Sequence, residues 1–436
     1  MTSYVASVGG GPVEGGLARE VIHHMGRRCL NWDYHARCIY QITITLADRS
    51  KHLLGELSPE LVEAVRAAKG DVSKAEWREI LDRTRPSAEQ DRTRPSAEQD
   101  LGEMRGVVLS EIGRMVAGCW REIPQQWPGV EVLDCQVMPE HFHGVVFVKE
   151  RQAKTLGNII GSFKSKSASR AREILDRTRP SSEQVLGEFA FWAKGYVDTI
   201  LWREGQLRRM IDYVVDNPRR LAIKRACPEL FGVVRDLKVA LPGLAGDSLG
   251  HFAALGNPFL LERPLAQAQC SRTCFRYRRV AKPGGGLKIA RDEKGEPEIE
   301  LTTRDFTSRR DELFALAKHG AAIVSPCVSD GERQIAREVL AAGYPLVALQ
   351  NKGFSKLQKP SGVYFDACAE GRLLMLVPAD WPYQPGEKPM TRLDAIALNR
   401  LCQWLAGDGA VEINYNGRTT DNVDQLAKDA ARVEKI

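Results

Sequence analysis

The sequence predicts an α+β domain of ferredoxin-like order followed by an α/β domain of Rossmann-like type. Three observations lead there. The first half of the chain reads strand, helix, two strands, helix, strand; the character changes after about residue 235; and short apolar strands alternate with helical stretches beyond residue 320. A chain of 436 residues is too long to be built around one core, so two domains are expected.

Taken in order, the first thirty residues contain GGGPVEGG and read as a flexible lead-in. Residues 36–47, ARCIYQITITLA, are β-branched and alternating, as in a strand. Over 104–122 the apolar residues Val107, Val108, Ile112 and Val116 recur at helical spacing. Strands are expected at 130–138 and 141–148, with Pro139 and Glu140 between them, then a helix at 155–173 and a strand at 191–202. A closing helix over 205–217 is expected to end before Pro218, which disfavours helix at the residue preceding it. This is an antiparallel sheet with helices on one face, placed at 31–235. A Pro/Gly-containing linker, 236–262, leads to the second domain at 263–417. There AAIVSPC, a helix at 331–342, YPLVALQ and GRLLMLV give a parallel sheet, and a charged tail closes the chain at 418–436.

Composition narrows the function classes. With 43% hydrophobic and 27% charged residues, the chain reads as a soluble globular protein. No basic start followed by an apolar run opens it, and no apolar stretch is long enough for a bilayer, so a cytoplasmic protein with no membrane partner is expected. The ten cysteines are scattered without a CxxC pair, which favours reduced buried thiols over a zinc site. No GxGxxG is present, so a dinucleotide enzyme is not expected. A net charge of +6 permits a polyanionic partner. Arg208, Arg209, Arg219, Arg220 and Lys224 crowd one stretch, and Arg276, Arg278, Arg279, Lys282 and Lys288 surround Phe275 and Tyr277 in another. Basic residues interleaved with aromatics suit a phosphate backbone with unstacked bases, solvated faces being the competing explanation. The unit DRTRPSAEQ stands at 82–90 and again at 91–99, and ILDRTRPSSEQ follows at 174–184. Almost without apolar residues, these copies cannot stack as a solenoid, and read as surface insertions or helix ends; DNA-contacting arms are the alternative.

Chemistry centres on MPEHFHGVV at 138–146. Side chains two apart on a strand share a face, so His141 and His143 would point together as half of a divalent-metal site, a chance pair at a strand end being the alternative. Gly144 is expected to open space beside them for a phosphodiester. On the helix GQLRRMIDYVVDNP (205–218), Leu207, Met210, Ile211 and Val214 form the apolar stripe, and Tyr213 and Asn217 lie one turn apart on its flank.

These patterns stand together in a known order. MPEHFHGVVFV, IIGSFKSKSASR (159–170), FWAKGYVDTILWRE (191–204), YVVDNP (213–218) and the opening WDYHARCIYQITIT (32–45) resemble the REP-associated tyrosine transposases of the HUH single-tyrosine class, over roughly residues 31–226. The resemblance implies a ferredoxin-like HUH nuclease domain in which His141 and His143 are metal ligands, Asn217 supplies a third, and Tyr213 is the nucleophile. It implies a bound magnesium or manganese ion, a 5′-phosphotyrosine intermediate, and single-stranded, hairpin-forming DNA as the partner, with Lys164, Lys166, Arg219 and Arg220 on the backbone. A homodimer is left open. The second domain, with VSPCVSDGERQIAREVLAAGYPLVALQNKGF (324–354), RLLMLVPADWP and ALNRL (397–401), resembles the Rossmann-type core of DNA-processing protein A. That likeness implies single-strand binding without catalysis, to which Arg276, Arg278 and Arg279 would contribute. Ser329 and Glu332 at the start of its helix read better as a capping box than as a phosphate site. Two other functions compete: a non-catalytic single-stranded DNA-binding or regulatory protein, and a nucleotide-hydrolysing Rossmann enzyme with an accessory domain.

Overall fold

The strand anticipated after His35 is β1, Cys38–Thr45, and it is central to a four-stranded antiparallel sheet. The computed structural model describes residues 4–6, 21–24, 28–29, 32–68, 104–178, 190–202, 205–244, 248–281, 286–292, 296–355, 358–384 and 389–407. The chain divides into two units, Met1–Ile223 and Lys224–Ile436. The tandem repeat at 82–99 and the tail at 418–436 lie outside the described residues. Within the expected lead-in, three short strands, Tyr4–Ala6, Val21–His24 and Arg28–Cys29, pair antiparallel instead.

In the first unit β1 is followed by a short strand β2 (Gly55–Leu57), helix α1 (Pro59–Ala68), strand β3 (Val107–Leu109) and helix α2 (Glu111–Arg121). The helix expected from residue 104 therefore begins seven residues later. Val107 and Val108 are β-branched and pair with β2, and Ser110 then caps α2 by accepting from the Gly113 N–H at 3.0 Å. Strands β4 (Val130–Val137) and β5 (His141–Val148), helix α3 (Leu156–Thr178), strand β6 (Val197–Leu201) and helix α4 (Gln206–Ala226) complete the unit. The sheet order is β4–β5–β1–β6, every neighbour antiparallel. Helix α3 runs five residues past the expected end, taking Ile174 to Thr178 of the third repeat copy into its last turn.

Helices cover both faces of this sheet, not one. Tyr40, Ile42, Ile44, Phe142 and Val146 point to one face, where Trp120 of α2 and Phe163 of α3 enclose Phe142 at ring centroid distances of 4.9 and 5.4 Å. On the opposite face Val145 and Leu201 pack with Val214 of α4, backed by Leu207 and Met210. A strand such as β5, buried on both faces, needs two covering layers. Helix α4 also continues through Pro218 for two further turns. Proline denies the carbonyl one turn earlier its usual donor, and the Asn217 side chain meets the adjoining Tyr213 carbonyl at 2.8 Å.

The second unit holds a six-stranded sheet. The expected linker at 236–262 is instead largely an antiparallel hairpin on its edge, β7 (Val233–Ala240) with β8 (Leu249–Gly256). The reason is alternation: Phe252 and Ala254 of β8 and Val239 of β7 point into the core, a period-two pattern that the flanking Pro and Gly residues obscured. Strands β9 (Leu265–Gln267), β12 (Ala322–Ser325), β13 (Leu346–Leu349) and β14 (Leu373–Pro378) run parallel, giving the order β7–β8–β14–β13–β12–β9. A small ribbon of β10 (Phe275–Tyr277) and β11 (Ile299–Thr302) and helix α5 (Arg304–Lys318) stand between β9 and β12. Helices α6 (Asp330–Ala341) and α7 (Val363–Ala369) make the later crossovers. Helix α8 (Arg392–Ala406) contributes Leu398, Leu401, Cys402 and Leu405 to the core formed with Val324, Val347 and Leu374. Both halves of the Ser329 and Glu332 capping box are formed, as expected. Among the described residues no helix is long and apolar enough to cross a membrane.

Candidate metal and nucleophile site

Strand β5 alternates, and its cross-strand partners decide what surrounds the histidines. Thr45 lies opposite His141, Thr43 opposite His143 and Gln41 opposite Val145 on β1, while Gln136 lies opposite His143 on β4. Residues directly opposite share a face, so a polar cluster forms beneath helix α4. The Nε2 atoms of His141 and His143 are 3.1 Å apart, with the rings nearly perpendicular at 88°. His143 is 4% exposed. Its Nδ1 lies 2.9 Å from Thr43 Oγ1 and 3.1 Å from Gln41 Nε2, and Gln41 also donates to Thr43 Oγ1 at 2.8 Å. With the Nδ1 proton given to Thr43, the His143 Nε2 lone pair faces His141. Glu140, itself buried, places Oε1 3.5 Å from both His141 Nδ1 and Arg49 Nη2.

Helix α4 brings the phenol. Val214 is fully buried against the sheet, while Tyr213 beside it is 42% exposed. The Tyr213 ring centroid stands 5.9 Å from that of His143, and the Arg220 guanidinium carbon lies 5.6 Å from the Tyr213 ring centroid. The structure therefore brings His141, His143 and Tyr213 together. Asn217 sits one turn along the helix, buried, its Nδ2 donating to the Tyr213 carbonyl, which leaves Oδ1 as the amide's acceptor atom. Among the described residues no cluster of three or more His, Cys, Asp or Glu forms a metal set. The histidine pair nonetheless fits one ion: two nitrogens at about 2.1 Å from a metal and at right angles lie about 3.0 Å apart.

Most of the residues expected to contact DNA have partners within the chain. Lys164 Nζ donates to the carbonyls of Ala193 and Gly195 at 2.8 and 2.6 Å, and burial pushes its ammonium below the ordinary lysine range. Lys166 pairs with Glu122 at 2.5 Å. Arg219 is 1% exposed and makes a two-pronged pair with Asp216 at 2.6 and 3.0 Å. On the second unit's ribbon, Arg276 pairs with Glu300, Arg278 with Glu298 and Arg279 with Asp330. Phe275 and Tyr277, expected to stack on bases, are buried in the core. Gly144 does not face the histidines: a Cβ there would stand 2.1 Å from Trp120 Cζ2 on the other side of the sheet. Sequence reasoning passed over Gln41, Thr43 and Glu140. The signal for the first two was present in CIYQITIT, where Gln41, Thr43 and Thr45 make one face of an apolar strand polar.

No protein-family model matches the chain. An uncharacterized protein of Haemophilus influenzae is 25% identical over 130 residues, an alignment covering 25% of this chain and 66% of that protein. The chain thus spans just under two thirds of that relative's length. Among solved structures, it is similar to a REP-associated tyrosine transposase bound to a REP hairpin, at 11% identity and a TM-score of 0.24, over 43% of this chain and 70% of that one.

Proposed function

We propose that the first unit is a DNA-strand transferase that cuts and rejoins single-stranded DNA through a covalent bond to Tyr213. One observation carries this reading: two imidazoles meet at 3.1 Å on a sheet face while a half-exposed phenol on the covering helix stands beside one of them. The sheet order β4–β5–β1–β6 supports a ferredoxin-like HUH nuclease, and the parallel strands of the second unit support a Rossmann-like accessory domain.

In the proposed reaction Tyr213 Oη attacks the phosphorus in line as the bond to the 3′ oxygen breaks. The strand is left with a 5′-phosphotyrosine and a free 3′-hydroxyl; the phenol's proton passes to water at its exposed edge, and water returns one to the departing 3′ oxygen. Attack by another 3′-hydroxyl reverses the step, so no ATP is consumed. His141 and His143, with Asn217, would hold a magnesium or manganese ion, which draws charge from the non-bridging phosphate oxygens. Thr43 and Gln41 fix the His143 ring. Arg220 stands over the nucleophile's ring, where it favours the negative charge that builds on the oxygen. A purely DNA-binding role draws less support, because binding alone gives no reason for a phenol beside a histidine pair.

Incubating the full chain with hairpin-forming single-stranded DNA and Mn²⁺, followed by a denaturing gel, tests this. A DNA-linked protein band that disappears with EDTA and in the His141→Ala/His143→Ala variant is expected, with much of the salt-dependent DNA affinity retained. Adduct formation undiminished in EDTA refutes the metal assignment.

A further inference from the structure

We infer that Gln136 supplies an oxygen donor to the cation site at His141 and His143; this rests on the metal reading just proposed and goes beyond its ligand set. Gln136 lies directly opposite His143 in the β4–β5 register, so its side chain leaves the sheet on the histidine face. It is completely buried. Its Nε2 donates to the carbonyls of Met104 at 3.1 Å and Val137 at 2.9 Å. Two carbonyl acceptors fix which end of the amide is nitrogen, since the flipped amide would set oxygen against oxygen. The other end is therefore the oxygen, and Gln136 Oε1 has no hydrogen-bond partner among the described residues.

A buried amide oxygen without a protein partner is rare in a folded protein, and such an atom calls for a water or an ion beside it. The place of Gln136 directly opposite His143 favours the ion. The donor chemistry agrees: two imidazoles alone favour zinc or copper, whereas magnesium and manganese favour oxygen ligands. A neutral amide oxygen adds that preference without adding charge to the buried face. Asn217 belongs to the covering helix, so Gln136 would tie the ion to the sheet itself.

Mn²⁺ binding to the full-length protein, followed by the electron paramagnetic resonance signal of free Mn²⁺, tests the inference without reference to activity. The wild type should bind one ion and the His141→Ala/His143→Ala variant none. Gln136→Met, of similar length but lacking the oxygen, should bind about tenfold or more weakly. Gln136→Leu, which also lacks the oxygen, should bind as weakly as Gln136→Met. Gln136→Met titrating like wild type, while the histidine variant loses the ion, overturns this inference alone. If Gln136→Met does not fold, a folded Gln136→Leu that titrates like wild type overturns it equally. No Mn²⁺ binding by the wild type overturns both this inference and the metal reading beneath it.

Discussion

Replacing Gly144 by alanine places a methyl group 2.1, 2.5 and 2.6 Å from Cζ2, Cε2 and Cη2 of Trp120. Ordinary carbon contacts begin at about 3.5 Å, so the indole must retreat by roughly 1.4 Å. It has nowhere to go: Trp120 is fully buried, with Phe142 and Phe163 at centroid distances of 4.9 and 5.0 Å. Overpacking of this kind costs about 1–3 kcal/mol, and a rigid ring between two others puts Gly144→Ala near 3 kcal/mol. That is more than about a hundredfold in the folding equilibrium, or a fall of about 1.5 M in urea midpoint at a slope near 2 kcal/mol per molar. Because the chain has two units that need not unfold together, hydrogen–deuterium exchange of the peptide carrying His141–Val148 across a urea series is the suitable assay. Adding Trp120→Phe should recover part of the loss, since the two positions share one space. Unchanged stability with impaired DNA binding would refute the reasoning, and would return Gly144 to the substrate face that the sequence suggested.

Three further outcomes follow from buried polar contacts. Lys164→Met should destabilise the first unit by about 2 kcal/mol, because two carbonyls lose a charged donor, whereas Lys166→Ala should cost under about 1 kcal/mol, Glu122 keeping Arg170 as a partner; urea midpoints for the pair check this. Arg219→Leu strips the Asp216 carboxylate of its bidentate partner and should cost about 3 kcal/mol, the low end for such pairs because Asp216 keeps some water contact; a midpoint shift under about 0.5 M would contradict it. In the second unit, Glu332→Ala removes the acceptor for the N–H groups of Val328 and Ser329, both at 2.8 Å and buried. A loss of about 2–3 kcal/mol, read from exchange in the peptide carrying Asp330–Ala341, is expected.

Strands with strict alternation were legible in the sequence, as CIYQITIT and HFHGVVFV show, because burial on a pleated surface leaves a period of two. So was the capping box at Ser329 and Glu332, a purely local device. What escaped depended on contacts far apart in sequence. Val107 and Val108 fit a helical stripe until β2 offers them a partner strand. Pro218 reads as a stop, yet the helix continues with Asn217 meeting a neighbouring carbonyl. The spacing of Tyr213 and Asn217, and of His141 and His143, could be read as shared faces. That Thr43, Gln41 and Gln136 surround His143 could not, since it requires the register of three strands. Charge counts could not show that Lys164, Arg219, Arg276 and Arg279 are set against carboxylates or carbonyls, a pairing that composition cannot reveal.

Of the four tyrosines between residues 31 and 235, Tyr34 and Tyr40 are buried, and separating Tyr196 from Tyr213 tests the central claim most directly. Tyr196 immediately precedes β6 and is half-buried, while Tyr213 is 42% exposed and stands beside His143. Labelled hairpin DNA, Mn²⁺ and each single variant are resolved on a denaturing gel for protein-linked DNA. Tyr213→Phe, which removes only a hydroxyl, should abolish the adduct while leaving DNA affinity and the urea midpoint unchanged, and Tyr196→Phe should retain the adduct. Loss of the adduct only in Tyr196→Phe, or its persistence in Tyr213→Phe, would contradict Tyr213 as the nucleophile.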